Sequence, residues 1–111
     1  MSIRNLDFAL KPRSIALIGA SERPASVGRK LLENLVDGGF DGVILPVNPN
    51  RDSILGRTAF RSIAELPIAP DLAVIASPAP TVPALIDQLG RRGTKAAVVI
   101  SAGFAELSTR N

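Results

Sequence analysis

Ser14-Ile15-Ala16-Leu17-Ile18-Gly19-Ala20-Ser21 decides how this chain folds, together with Glu22-Arg23-Pro24-Ala25-Ser26-Val27-Gly28 behind it. The unbroken apolar run reads as a strand buried on both faces, the kind found in parallel sheets. Gly19 breaks the run, a small polar loop follows, and Ser26 stands where a helix N-cap belongs. A strand, loop and helix start in this order present backbone N–H groups and the positive end of a helix, which together bind phosphate. The stretch therefore points to the phosphates of a nucleotide-containing ligand.

Working outward, Val27, Leu31, Leu35 and Val36 recur at helical spacing while Arg29, Lys30, Glu33 and Asp37 take the other face. A helix is expected over Val27–Asp37, stopped by Gly38-Gly39. Upstream, Asn5 to Leu10 reads as a short helix capped by Asn5 and ended by Pro12. Gly42 to Val47 reads as a second strand, followed by the turn-rich Asn48-Pro49-Asn50-Arg51-Asp52. Ile54 to Phe60 is expected as a loop and short edge strand, and Ser62 to Leu66 as about one helical turn. Asp71 to Ala76 is a third apolar strand, closed by Ser77-Pro78-Ala79-Pro80. Thr81 is expected to cap a helix over Val82–Leu89, with Val82, Leu85, Ile86 and Leu89 on its buried face. Gly90 and Gly93 bracket its exit, Lys95 to Ser101 forms the last strand, and Gly103-Phe104 opens a further helix.

Strands alternating with helices specify an α/β fold: a Rossmann-like, doubly wound parallel sheet in three αβα layers. Its length of 111 residues fits one domain. Another helix and strand would complete such a sheet, so the chain reads as the N-terminal piece of a longer protein, truncated at the C-terminus.

The composition excludes much. There is no Cys, hence no disulfide or thiolate metal site, and no His, the commonest general base and metal ligand. Without Trp or Tyr as well, the chain is equipped for binding rather than chemistry; no catalytic residue and no metal site are expected. A net charge of +3, spread along the chain, is no basic stripe, and the Phe residues lie in no basic cluster, which argues against nucleic acid. No apolar run approaches the roughly 20 residues that span a bilayer. Arg4 and Asp7 interrupt the N-terminus, so no signal peptide is read there and a cytoplasmic location is expected.

In a doubly wound sheet the ligand lies beyond the carboxyl ends of the strands. Gly19–Ser26, Asn48–Arg51, Ala76–Pro80 and Ser101–Phe104 fall there, built largely of small residues that let a ligand approach the backbone. The first loop lacks the G-x-G-x-x-G spacing, and Asn48-Pro49-Asn50 stands where an NAD site has a carboxylate for the ribose. Arg51 beyond it suits an additional ribose phosphate, as in NADP or coenzyme A. Both remain open on the residues alone.

The ordered set Pro12-Arg13-Ser14-Ile15-Ala16, Gly19-Ala20-Ser21, Ser26-Val27-Gly28, Pro46-Val47-Asn48-Pro49, Leu66-Pro67, Asp71-Leu72-Ala73-Val74, Ser77-Pro78-Ala79 and Ile100-Ser101-Ala102-Gly103-Phe104 covers nearly the whole chain. It resembles the N-terminal CoA-binding domain of the NDP-forming (ADP-forming) acyl-CoA synthetases, related to the succinyl-CoA synthetase alpha subunit. The opening through Ser26 looks most like large bacterial proteins that join such a module to a GNAT acetyltransferase domain.

The resemblance implies that Gly19, Ala20, Ser21, Ser26 and Val27 lie by the CoA phosphates and that Asn48, Pro49 and Asn50 flank the adenosine. Arg51 is the nearest cation to the position where the family often has lysine. Ser77, Pro78 and Ala79, with Ser101, Ala102 and Gly103, would line the pantetheine path. The ligand implied is CoA, acetyl-CoA or another acyl-CoA. ATP or ADP with Mg, and the family's phosphorylated histidine, belong to further domains of the parent, which are the implied protein partners.

Plainer readings stand beside these. Gly19 serves any strand-to-helix turn, Ser26 any helix cap, and Pro78 with Pro80 any rigid turn; Arg23, Arg29 and Lys30 read as solvated. Glu22, Asp71 and Glu106 have no pairing in sequence that supports acid–base work. The competing functions are an NADP-binding redox domain and a stand-alone CoA-binding regulatory protein.

Overall fold

A computed structural model describes residues 11–100. The helix expected over Asn5–Leu10, the Ser101-Ala102-Gly103 loop, the helix from Gly103 and Glu106 lie outside the described residues. In chain order come β1 (Ser14–Ile18), α1 (Val27–Asp37), β2 (Val43–Val47), β3 (Ser53–Ile54), β4 (Arg57–Thr58), β5 (Leu72–Ile75), α2 (Val82–Arg92) and β6 (Ala96–Val99). Short 3-10 turns occupy Ile63–Glu65 and Ala79–Thr81.

β2, β1, β5 and β6 form a parallel sheet in that spatial order, with Leu17 of β1 between Pro46 of β2 and Val74 of β5. Alternation along the strands divides the core in two. Ala16, Ile18, Leu45, Val47, Ala73 and Ile75 pack with Val82 and Leu89 of α2 and with Ile63 and Leu66. On the other face, Leu17 packs with Leu32 of α1, Ala20, Ile54 and Ala59. Helix, sheet and helix make the three layers expected of a Rossmann-like fold.

The structure turns α1 relative to the expected face. Gly28 and Leu32 are buried and Leu31 and Leu35 half-buried, whereas Val27 (38%) and Val36 (41%) are exposed. The cause is a backbone contact: a Cβ on Gly28 would lie 2.0 Å from the Gly19 carbonyl oxygen, so the side without a side chain is the one that meets the loop. Ser26 caps as expected, its Oγ accepting from the Arg29 N–H at 3.2 Å.

Thr81 does not cap α2. It has helical dihedrals, and its Oγ1 donates to the Pro78 carbonyl at 2.6 Å, because the 3-10 turn has already begun winding before it. α2 runs through Gly90 to Arg92, further than expected, and Ile86 is exposed. Arg92 Nη1 donates to the Ile63 carbonyl at 2.7 Å and ties the helix end to the crossover turn.

The stretch from β2 to β5 contains an antiparallel β3–β4 hairpin, more order than the loop and edge strand expected there. Phe60 then returns along β2, its N–H donating to Pro46 O and its carbonyl accepting from Asn48 N, both at 2.9 Å. At the opposite end of the sheet, Asp71 Oδ2 accepts from Arg13 N and the Asp71 N–H donates to Ser14 Oγ, each at 2.9 Å. Those bonds explain Asp71 structurally. No helix among the described residues is long and apolar enough to cross a membrane.

Candidate functional site

From β1 the chain passes to β2 on one side, and β5 returns on the other, so the strand order reverses between β1 and β5. The loops leaving these two strands part at that point and open a crevice. Gly19 makes the parting possible. Its φ of +95° belongs to the left-handed region, and a Cβ there would come within 2.9 Å of the Ala76 carbonyl group. The two loop backbones touch at their base and enclose a cleft of about 940 Å³ above it.

Gly19 and Ser21 of the first loop, Asn48, Pro49, Asn50 and Arg51 of the second, and Ser77 and Pro78 after β5 all line this cleft. Residues far apart in sequence thus meet where the topology requires. Ala20, Ser26, Val27 and Ala79 are not in its lining. Ala20 is wholly buried beneath the loop, and the Ser26 hydroxyl is used locally, donating to Arg23 O at 2.8 Å while capping α1. The first loop, rather than the helix start, forms the wall.

Sequence reasoning missed several lining residues. Glu22 and Arg23 belong to the first loop, Arg61, Ser62 and Ile63 come from the crossover, Thr81 from the turn before α2, and Leu85 and Gln88 from α2 itself. Thr81, Leu85 and Gln88 follow helical i, i+4, i+7 spacing, a signal legible in the sequence. The crossover residues carry no such local pattern.

Asn48 joins the first two loops. Its Nδ2 donates to the Ala20 carbonyl at 2.9 Å, and its Oδ1 accepts from the Asn50 N–H at 2.7 Å. The side-chain amide is thereby committed to backbone, and Asn48 shapes the cleft by holding it together.

Two ion pairs, Arg51 with Glu22 and Arg61 with Asp52, involve residues that line the cleft. Arg51 bonds to Glu22 Oε1, and Glu22 Oε2 accepts from the Leu55 N–H at 2.6 Å. That N–H above all holds the Glu22 carboxyl below its ordinary range; Arg51 and Arg29 add to the effect, and burial opposes it. Arg61 Nε meets Asp52 Oδ1 at 2.9 Å and its Nη1 donates to Pro49 O at 3.3 Å. The Arg61 hydrogen bond and charge lower the Asp52 pKa, and Asp52 raises that of Arg61. Guanidinium groups, hydroxyls and amides above close-packed backbone suit an anionic ligand that approaches the main chain.

Residues 13–110 match the family described as CoA binding domain. A trans-feruloyl-CoA synthase from an unknown prokaryotic organism is 48% identical over 105 residues, which cover 95% of this chain and 15% of that protein. The ADP-forming acetate–CoA ligase of Methanocaldococcus jannaschii is 41% identical over 105 residues, covering 91% of this chain and 15% of that one. Among solved structures, the dinucleotide-forming acetyl-coenzyme A synthetase 1 of Candidatus Korarchaeum cryptofilum, in complex with phosphate and ADP, superposes with a TM-score of 0.84. Its identity is 38%, over 92% of this chain and 22% of that chain. The chain spans about one sixth of the length of these curated relatives. Fold, cleft and sequence agree: the chain belongs to the CoA-binding domain family and resembles the N-terminal part of the ADP-forming acyl-CoA synthetases.

Proposed function

We propose that the cleft between the β1, β2 and β5 loops binds coenzyme A or an acyl-CoA. The observation that carries this reading is the lining itself: Gly19, Ser21 and Ser77 admit a ligand to the backbone, and Arg23, Arg51 and Arg61 share the space. CoA carries phosphates at one end and a slender amide-containing arm at the other. The arginines and the polar loop residues suit the first. Pro78 and Leu85 offer apolar surface, and Ser77 a hydroxyl, to the second.

In this reading the 1–111 domain is the CoA-holding module of a cytoplasmic, multidomain ADP-forming acyl-CoA synthetase, or of a synthetase-like protein fused to a GNAT lysine acetyltransferase. Its residues hold and orient CoA, while ATP or ADP with Mg, and the phosphohistidine relay, belong to other domains of the parent. Support comes from the family match and from the synthetases among the relatives.

One observation favours a second reading. Asn48-Pro49-Asn50 follows β2 in place of the carboxylate of an NAD site, and Arg51 just beyond it suits NADP as well as CoA. Titration calorimetry with CoA, acetyl-CoA and NADP separates the two. CoA and acetyl-CoA are expected to bind with similar affinity and NADP more weakly; tighter binding of NADP than of CoA overturns the proposal.

A further inference from the structure

The cleft already contains an anion of its own. The Glu22 carboxylate is gripped on one oxygen by the Arg51 guanidinium and on the other by the Leu55 N–H, which lies in the turn between β3 and β4. Its backbone is anchored as well: Arg29 Nη1 donates to the Glu22 carbonyl at 2.7 Å, and Arg29 Nε meets Glu33 Oε2 at 3.3 Å on the same helix. A guanidinium and a main-chain N–H converging on neighbouring oxygens is a way proteins hold phosphate. Both Glu22 and Arg51 line the cleft, and their side chains are 34% and 51% exposed, so an incoming ligand has access to the pair.

We infer that Glu22 is a built-in competitor: its carboxylate occupies a phosphate position in the cleft, and a phosphate of the ligand reaches Arg51 by replacing it. The inference rests on the CoA reading and adds a determinant of affinity to it. The exchange is feasible because an exposed ion pair contributes little stability, whereas a phosphate brings more charge and more acceptor oxygens to the same guanidinium. If the carboxylate stays nearby after displacement, it still repels the ligand, so its net effect is to weaken the binding of phosphate-bearing molecules. Glu22 thereby makes the cleft discriminate by charge, with a weakly charged anion at a disadvantage in displacing it.

A purely structural role predicts the opposite sign. If Glu22 served to present Arg51 to the ligand, removing its charge would weaken binding. Calorimetric titration of the wild-type chain, Glu22→Gln and Glu22→Ala with CoA, dephospho-CoA and pantetheine distinguishes the two, with thermal melting recorded for each protein. At low salt both variants are expected to bind CoA about three- to tenfold more tightly than wild type. The gain should be smaller for dephospho-CoA, absent for pantetheine, and reduced at high salt. Equal or weaker CoA binding by both variants, with melting unchanged, overturns the inference while leaving the CoA reading intact. Failure of wild type and both variants to bind CoA overturns the CoA reading and this inference with it.

Discussion

Replacing Gly28 with alanine tests whether the helix and the first loop are truly in backbone contact. In an exposed helix interior the change would stabilise by about 1 kcal/mol through helix propensity. Here the new Cβ would fall 2.0 Å from Gly19 O, 3.0 Å from Gly19 C and 3.2 Å from Ala20 Cα. All of these are backbone atoms in a buried setting, so no side chain can swing aside. Relief requires α1 and the loop to separate by more than about 1 Å, which belongs at the upper end of the roughly 1–3 kcal/mol seen for overpacking, or above it. The clash outweighs the propensity gain, and a net loss of about 2 kcal/mol is expected. For a domain of this size that lowers Tm by roughly 8 °C. The displaced loop carries Gly19 and the Ala20 carbonyl to which Asn48 is bonded, so CoA affinity should fall together with stability. Circular-dichroism melting and calorimetry on the same preparation provide both readings. A Gly28→Ala protein that melts higher than wild type and binds CoA equally well would refute the contact and its role in shaping the cleft.

Other perturbations follow from the same geometry. Asn48→Ala breaks the bonds to Ala20 and Asn50 and should cost about 1–3 kcal/mol; an unchanged urea midpoint would show that the clip contributes nothing. Ala25 holds φ at 64° just before the helix cap, so Ala25→Gly relieves left-handed strain of about 1–2 kcal/mol, less the entropy of a freer unfolded chain. Tm should rise slightly, and a fall would contradict the assigned strain. The pKa values of Glu22 and Asp52 are lowered from ordinary values of 4.5 and 3.8. A depressed carboxyl contributes stability that is present above its unfolded pKa and lost as pH falls through the folded one. Urea midpoints should therefore stay level down to about pH 5 and then drop, and the drop should be shallower in Glu22→Gln and Asp52→Asn; identical acid profiles for all three proteins would deny these ion pairs any share in stability.

The elements best read in advance are those whose information is local. β1 and α1 have the bounds expected of them, because the Ser14–Ile18 run and the Ser26 cap each sit within a few residues of what they determine. The face of α1 was harder. A count of apolar residues gives weight to Val27 and Val36 and none to Gly28, yet it is the missing side chain of Gly28 that sets the rotation. Gly90 reads as a stop but lies within α2, which ends instead at Gly93 and extends its last turn through Arg91 and Arg92. The β3–β4 hairpin is too short for any periodicity to show. The same division runs through the cleft. Its loops were legible since strand ends and small residues mark them, while Arg61, Ser62 and Ile63 arrive through the crossover and depend on tertiary structure.

Pro46 lies fully buried within β2, an edge strand among the described residues, with its carbonyl turned outward to the Phe60 N–H. A proline there offers no outward N–H, and Phe60 occupies both the Pro46 acceptor and the next outward donor, on Asn48. A second chain seeking to add a strand along this edge finds the ladder interrupted at its centre and already taken at its cleft end. The proline leaves the pairing with β1 intact while denying an outward donor to a further strand, which protects the sheet against edge-to-edge aggregation on that side.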